Sequence, residues 1–164
     1  MKGISFNSWV YGSFPSWLPY YPLEEVITRL SAMGYDAIEI GCASPHAWPE
    51  YLSNEKRKEI LGHLQRNNLA VSAMLPAPGG GPGINPCSPL KEEREFTVKH
   101  YKDVLRLAHD WECPTVIWLA GWFGLEPLKK MLGIIALKAC RIVQGMQKSL
   151  ESHLLLSLKR LIVI

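Results

Sequence analysis

The sequence predicts an α/β fold, the N-terminal half of a (β/α)8 barrel with about four β/α units, followed by a helical tail. Three observations carry this. Strand-like and helix-like segments alternate through residue 124 at about the spacing of parallel βαβ units with right-handed crossovers. The loops after the carboxyl ends of the first three strands are long, whereas the helix-to-strand returns are tight: Gly34-Tyr35-Asp36, Asn67-Asn68-Leu69 and Glu112-Cys113-Pro114. Barrel active sites are built from loops at the carboxyl ends of strands, so this asymmetry favours half a barrel over a small open sheet. Length itself favours neither, the chain having 164 residues against roughly 250 for a whole barrel.

Each element follows from its residues. Lys2–Asn7 opens as a short mixed strand. Pro22–Met33 carries Leu23, Val26, Ile27 and Leu30 at helical spacing, with acidic residues in its first turn and Gly34 as a stop. Ala37–Ile40 is a strand ending at Gly41. Ser53–Asn67 is a helix capped by Ser53, with Ile60, Leu61 and Leu64 as its apolar stripe. Ala70–Leu75 is a third strand, ended by a Pro/Gly run that continues no strand and starts no helix. Lys91–Trp111 is a helix with Val98, Tyr101, Val104, Leu105 and Ala108 on one face, and Thr115–Leu119 is the fourth strand.

Composition narrows the class further. The chain is 48% hydrophobic and 20% charged, which excludes a disordered or disulfide-scaffold protein. No apolar run reaches the roughly 20 residues of a membrane helix, and the first residues are too polar for a secretory leader. Cys42, Cys87, Cys113 and Cys140 form no C-x-x-C pair. That spacing suits neither zinc nor redox chemistry and points to a reducing cytoplasm. Gly79–Gly83 lacks the residues that complete a phosphate-binding loop, and no nucleophile elbow is present.

Residue 124 divides the chain into a partial barrel domain, 1–124, and a basic helical tail, 125–164. The first part holds 11 Lys+Arg against 13 Asp+Glu and all 16 aromatic residues; the tail holds 7 against 2 and no aromatic residue. Leu128, Met131, Leu132, Ile135, Ala139, Ile142 and Met146 keep helical spacing. The last stretch, LLLSLKRLIVI, is too short to span a bilayer.

GYDAIEIG (Gly34–Gly41), SPHAWPEY (Ser44–Tyr51), LAVSAMLPAPG (Leu69–Gly79) and PTVIWLAGW (Pro114–Trp122) together resemble the xylose-isomerase-like barrel superfamily of sugar isomerases and epimerases. Within it they are most similar to the ketose and fructoselysine 3-epimerase type, over roughly residues 2–122. The resemblance implies a small-molecule sugar substrate and a divalent, manganese-like metal held by Glu, Asp, His and Glu on the last four strands. That metal polarises the sugar while carboxylates move a proton. None of those four positions is matched here, so no metal ligand and no catalytic residue is assigned in this chain. Taken one base out of phase, the tail can be read as W-F-G-T-P-E-E-D-A-W-N-Y-S-L-E and then I-T-x-A-V-E-P, which is family-like. The expectation is therefore a frameshifted tail on a truncated, inactive chain. An inosose-type dehydratase on the same scaffold, and a non-enzymatic half barrel that self-associates as a homo-oligomer, are the alternatives. DNA repair on this scaffold is disfavoured by the acidic balance of the first 124 residues and by strand ends without histidine, so no nucleic-acid partner is expected.

Four residues are candidates for sugar binding. Glu39 lies between Ile38 and Ile40; if the isoleucines face the helices, it points into the barrel, as a pocket hydrogen-bonding group or as half of a structural ion pair. The resemblance puts His46 in the substrate pocket, with loop packing as the alternative. Trp48 and Trp122 are rings able to stack on a sugar face, Trp122 alternatively packing in the core or rim. Trp118 reads as barrel core. Trp9, Tyr11 and Trp17 crowd the first loop without any being singled out, and His63, His100 and His109 read as surface or packing residues on helices.

Overall fold

The computed structural model describes residues 3–12, 20–76, 84–119, 137–138, 140–146, 148 and 160–163. Five parallel strands, β1 (Ser5–Asn7), β2 (Ala37–Cys42), β3 (Ala70–Pro76), β4 (Thr115–Trp118) and β5 (Arg160–Val163), form one sheet in sequential order. Helices α1 (Leu23–Ala32), α2 (Asn54–Arg66) and α3 (Lys91–Asp110) lie between the first four strands. Sequential parallel order is the arrangement of half a (β/α)8 barrel. The Pro/Gly run Gly79–Gly83, Trp17 and Trp122 lie outside the described residues.

The helices bury the stripes their spacing predicts. α1 buries Leu23, Val26, Ile27 and Leu30. In α2 the Ser53 hydroxyl accepts the Lys56 backbone N–H at 3.2 Å, and Ile60 and Leu64 are buried while Leu61 is half-buried. α3 buries Tyr101, Val104, Leu105 and Ala108 as read, and also Thr97, His100 and Leu107. Gly34, with φ of 85°, ends the α1 region in the left-handed conformation that glycine adopts without steric cost. Arg57 ties the layers together: it donates to Asp110 on α3 and to the Pro49 and Leu52 carbonyls, while the Trp111 indole donates to the Arg57 carbonyl.

Strand alternation sorts the sheet into two faces. Ile38, Ile40 and Cys42 on β2, Val71 and Met74 on β3, and Val116 and Trp118 on β4 are buried in one core with the helices. Val71 and Met74 are three apart, which regular alternation would put on opposite faces. A register shift resolves this: Ile38 pairs with Val71 but Glu39 with Ala73, so Ser72 is an extra residue in β3. The Ser72 hydroxyl donates to the Ile38 carbonyl and lies 2.6 Å from the Ser5 hydroxyl, satisfying the polar groups at the bulge.

The reading of residues 125–164 as helix alone needs correction. Residues 140–146 are helical, but Arg160–Val163 is a strand, with Thr115 opposite Arg160 and Trp118 opposite Val163. Of the apolar stripe, Leu128, Met131, Leu132, Ile135 and Ala139 lie outside the described residues, and Met146 packs on the core. Cys140 and Val143 join the main core while Ile142 is 53% exposed. Burial follows contact with the main core, which takes the 140/143/146 side.

Candidate functional site

β1 and β2 set the inner face of the sheet. Phe6 packs on the helix side, so Ser5 and Asn7 alternate to the inner side; on β2 the buried Ile38 and Ile40 leave Glu39 there. Asn7 and Glu39 are direct register partners. The Asn7 side-chain amide donates to Glu39 Oε1 at 2.5 Å. Burial raises the Glu39 carboxyl above its ordinary range, and the Asn7 hydrogen bond opposes that rise. Among the described residues Glu39 is thus a part-buried acid whose side-chain partner is the neutral Asn7 amide.

The chain leaves β1 through a short 3-10 helix, Ser8–Tyr11, capped by Asn7: the Trp9 backbone N–H donates to Asn7 Oδ1 at 2.7 Å. This cap lays the Trp9 indole against Gly41 near the carboxyl end of β2. A methyl group added at Gly41 would stand 2.7 Å from Trp9 Cε3, so the ring requires glycine there. The Gly41 N–H donates to the buried Ser8 hydroxyl at 3.1 Å. Trp9 and Trp48 both pack on Ala43 and Ile84. Among the described aromatic residues of the first loop, Trp9 is therefore the one the backbone fixes beside the inner face. Asn7, Ser8 and Gly41 were not legible as site residues. The signal available for Asn7 was its alternation with Phe6, and it gains meaning only once β1 is set in register with β2.

His46 and Trp48 come together elsewhere, in a groove of about 370 Å³ that also has Tyr20, Tyr51 and Lys56 in its walls. His46 is buried; its Nε2–H donates to the Tyr21 carbonyl at 2.9 Å, and its Nδ1 has no partner among the described residues. Burial lowers its pKa, the Tyr21 carbonyl working in the opposite direction. The Trp48 ring lies against His100, with centroids 4.6 Å apart, and near Tyr51 and Phe96. His100 is buried beneath it, while His63 contacts Thr28 and Arg66. Trp118 packs on Tyr101 of α3 on the helix side of β4, at a centroid distance of 4.3 Å.

A larger cavity of about 1150 Å³ opens at the opposite end of the strands, among the helix-to-strand returns at Tyr35, Asn68 and Glu112. Size does not make it the site, because in barrels of this kind chemistry gathers at the carboxyl ends of strands. Among the described residues no three His, Cys, Asp or Glu side chains come together. Glu39, the carboxylate on the inner face, faces an amide that donates to it. This donor set does not fit a divalent metal.

Comparison with known proteins agrees with the architecture. The sheet resembles solved structures of a D-tagatose 3-epimerase-like protein (TM-score 0.68, 15% identity, 90% of this chain and 49% of that one). It also resembles D-psicose 3-epimerase from Clostridium cellulolyticum H10 (TM-score 0.65, 15% identity, 86% and 48%). At such identity the likeness is one of fold, and the chain spans about half the length of these proteins. A stretch of 130 residues is 28% identical to a carboxypeptidase Y homolog A from Arthroderma otae, covering 77% of this chain but 24% of that protein. Among the described residues no helix is long and apolar enough to cross a membrane. The profile described as xylose isomerase-like TIM barrel matches residues 27–149, running past residue 124 into the tail, and the chain belongs to that family.

Proposed function

We propose that this chain is the sugar-binding half of an isomerase or epimerase acting on a small ketose or ketose derivative, and that alone it does not turn the sugar over. The observation that carries the reading is Glu39, a part-buried carboxylate on the inner face, oriented by Asn7 beside the Trp9 ring. A carboxylate accepts sugar hydroxyls, and an indole beside it offers a flat apolar surface to the C–H face of a sugar. The raised proton affinity of Glu39 suits a group that exchanges a proton with bound hydroxyls. The family resemblance implies a divalent, manganese-like cation for the reaction. The described residues do not fit one, so no step is assigned through it, and inactivity of the isolated chain is the corresponding expectation.

The test is saturation-transfer NMR of the 164-residue chain with D-tagatose and D-fructose, paired with chromatographic assay for interconversion. Binding is expected without interconversion, and Glu39→Gln is expected to weaken it about tenfold, the scale of one hydrogen bond to a charged group. Equal binding by wild type and E39Q would remove Glu39 from the site, and sugar turnover would overturn the inactive half. A second reading, a self-associating half barrel, rests on the sheet order, which among the described residues gives β1 and β5 one strand neighbour each. Light scattering on the same sample separates the two, a dimer being the expectation of the second reading.

A further inference from the structure

We propose that Asn7 is the positioning residue of this site, its amide locked by the Trp9 backbone N–H so that it holds the Glu39 carboxylate and ties that carboxylate's proton to the turn carrying Trp9. The proposal rests on the reading of Glu39 as the sugar-facing carboxylate, and goes beyond it by naming what controls that group.

The orientation of the amide is dictated by its surroundings. The Trp9 backbone N–H is only a donor, so the Asn7 atom 2.7 Å from it is the carbonyl oxygen. The NH2 group then faces Glu39 Oε1. Asn7 cannot turn its amide over without setting donor against donor at Trp9 and acceptor against acceptor at Glu39. One side chain therefore performs two tasks: it caps the 3-10 helix that seats Trp9 on Gly41, and it donates to the carboxylate in the same register layer.

The surroundings leave Asn7 little competition. On β1 the inner-face neighbour is Ser5, on β3 Ser72 and Ala73, and on the turn Ser8 and Trp9, all uncharged. Just before β4, Cys113 is the titratable neighbour among the described residues; burial pushes its thiol up to about 12, and the Glu39 charge works in the same direction. That thiol stays neutral through the range in which a carboxyl titrates. Among the described residues no basic side chain bears on Glu39, so its charged form depends on the amide.

The arrangement makes the proton on Glu39 and the seating of Trp9 parts of one equilibrium. Protonation of Glu39 weakens the Asn7 bond and frees the amide that caps the turn. A sugar that accepts a proton from Glu39 or donates to it would feel the same linkage through Trp9.

The experiment is a pH titration of the full chain labelled with 13C at the glutamate side-chain carboxyl, the Glu39 signal assigned by its loss in E39Q. The backbone 15N–1H signal of Trp9 is followed in parallel. In wild type both signals are expected to move with one midpoint. In Asn7→Ala, Glu39 is expected to bind its proton about tenfold more tightly, the scale of a lost hydrogen bond to a charged group, and the Trp9 amide to stop following it. Asn7→Asp keeps the acceptor for Trp9 while facing Glu39 with a second carboxylate. It is expected to raise the Glu39 proton affinity while preserving the cap, which covers an unfolded N7A. A Glu39 midpoint unchanged in the folded variants, or a wild-type Trp9 amide that ignores the Glu39 titration, would overturn the proposal. Loss of sugar binding in E39Q is read separately, so failure of the sugar-binding reading leaves this titration interpretable.

Discussion

Trp118→Ala is expected to lower the unfolding free energy by about 3–5 kcal/mol, the range for removing a large aromatic side chain from a packed core. Trp118 is 1% exposed and packs on Tyr101, itself 1% exposed. The Tyr101 hydroxyl accepts the Leu119 backbone N–H at 2.9 Å, so α3 is fastened to the end of β4 by a ring contact and a hydrogen bond at the same point. Emptying this site strips the ring partner from Tyr101 and leaves a cavity between sheet and helix. Burial raises the pKa of the Tyr101 hydroxyl, although the Leu119 N–H favours its ionised form. Trp118→Phe retains a ring and should recover much of the loss. Urea unfolding followed by circular dichroism measures both. Trp118 points to the helix side, away from Glu39, so sugar binding by the folded fraction should be unaffected. A loss below about 1 kcal/mol, the size of an ordinary substitution, would mean that β4 and α3 are not packed as described.

How far the molecule was legible depends on whether a feature is local. α1, α2 and α3 each announce themselves by spacing, caps and stops within one segment, and the structure places them within a residue or two of the sequence reading. The inward direction of Glu39 was legible for the same reason, because two isoleucines flanking a carboxylate on a strand fix its side. The Asn7–Glu39 pair was not: thirty-two positions separate the two residues, and only the β1–β2 register brings them face to face. Ser72 was hidden because a bulge is a property of two strands, read in neither alone. β5 was missed because a short strand in a parallel sheet reads as a plain apolar run, and Arg160–Val163 lies at the end of a longer one. His46 and Trp48 share a short loop segment, and what the sequence withheld was the direction of that loop, which sets both into the groove with Tyr20 and Tyr51.

Stability is expected to fall as pH drops from 6.5 toward 4, with His100 responsible for a separable part of the loss. His100 is 3% exposed, its Nε2 has no hydrogen-bond partner among the described residues, and the Trp48 ring covers it. Burial lowers its pKa from 6.5 to about 4, a shift that Asp103 and Glu50 oppose and Lys99 assists. The folded chain thus resists a proton that the unfolded chain accepts below 6.5. Between the two values the unfolded state binds more protons, so unfolding free energy rises with pH across that window and is lost on acidification. The full linkage for this one histidine is about 3 kcal/mol, spent by pH 4 and flat below it. His46 is shifted in the same direction by its own burial and adds to the same limb. His100→Phe keeps an aromatic ring against Trp48 and cannot take a proton. Chemical denaturation of wild type and H100F at a series of pH values therefore isolates the term. Relative to the difference at pH 7, the balance between the two should shift toward H100F by up to about 3 kcal/mol at the acid end, with H100F losing less stability on the way down. Parallel curves would mean that His100 is protonated in the folded chain, which would require it to lie open to water rather than beneath Trp48.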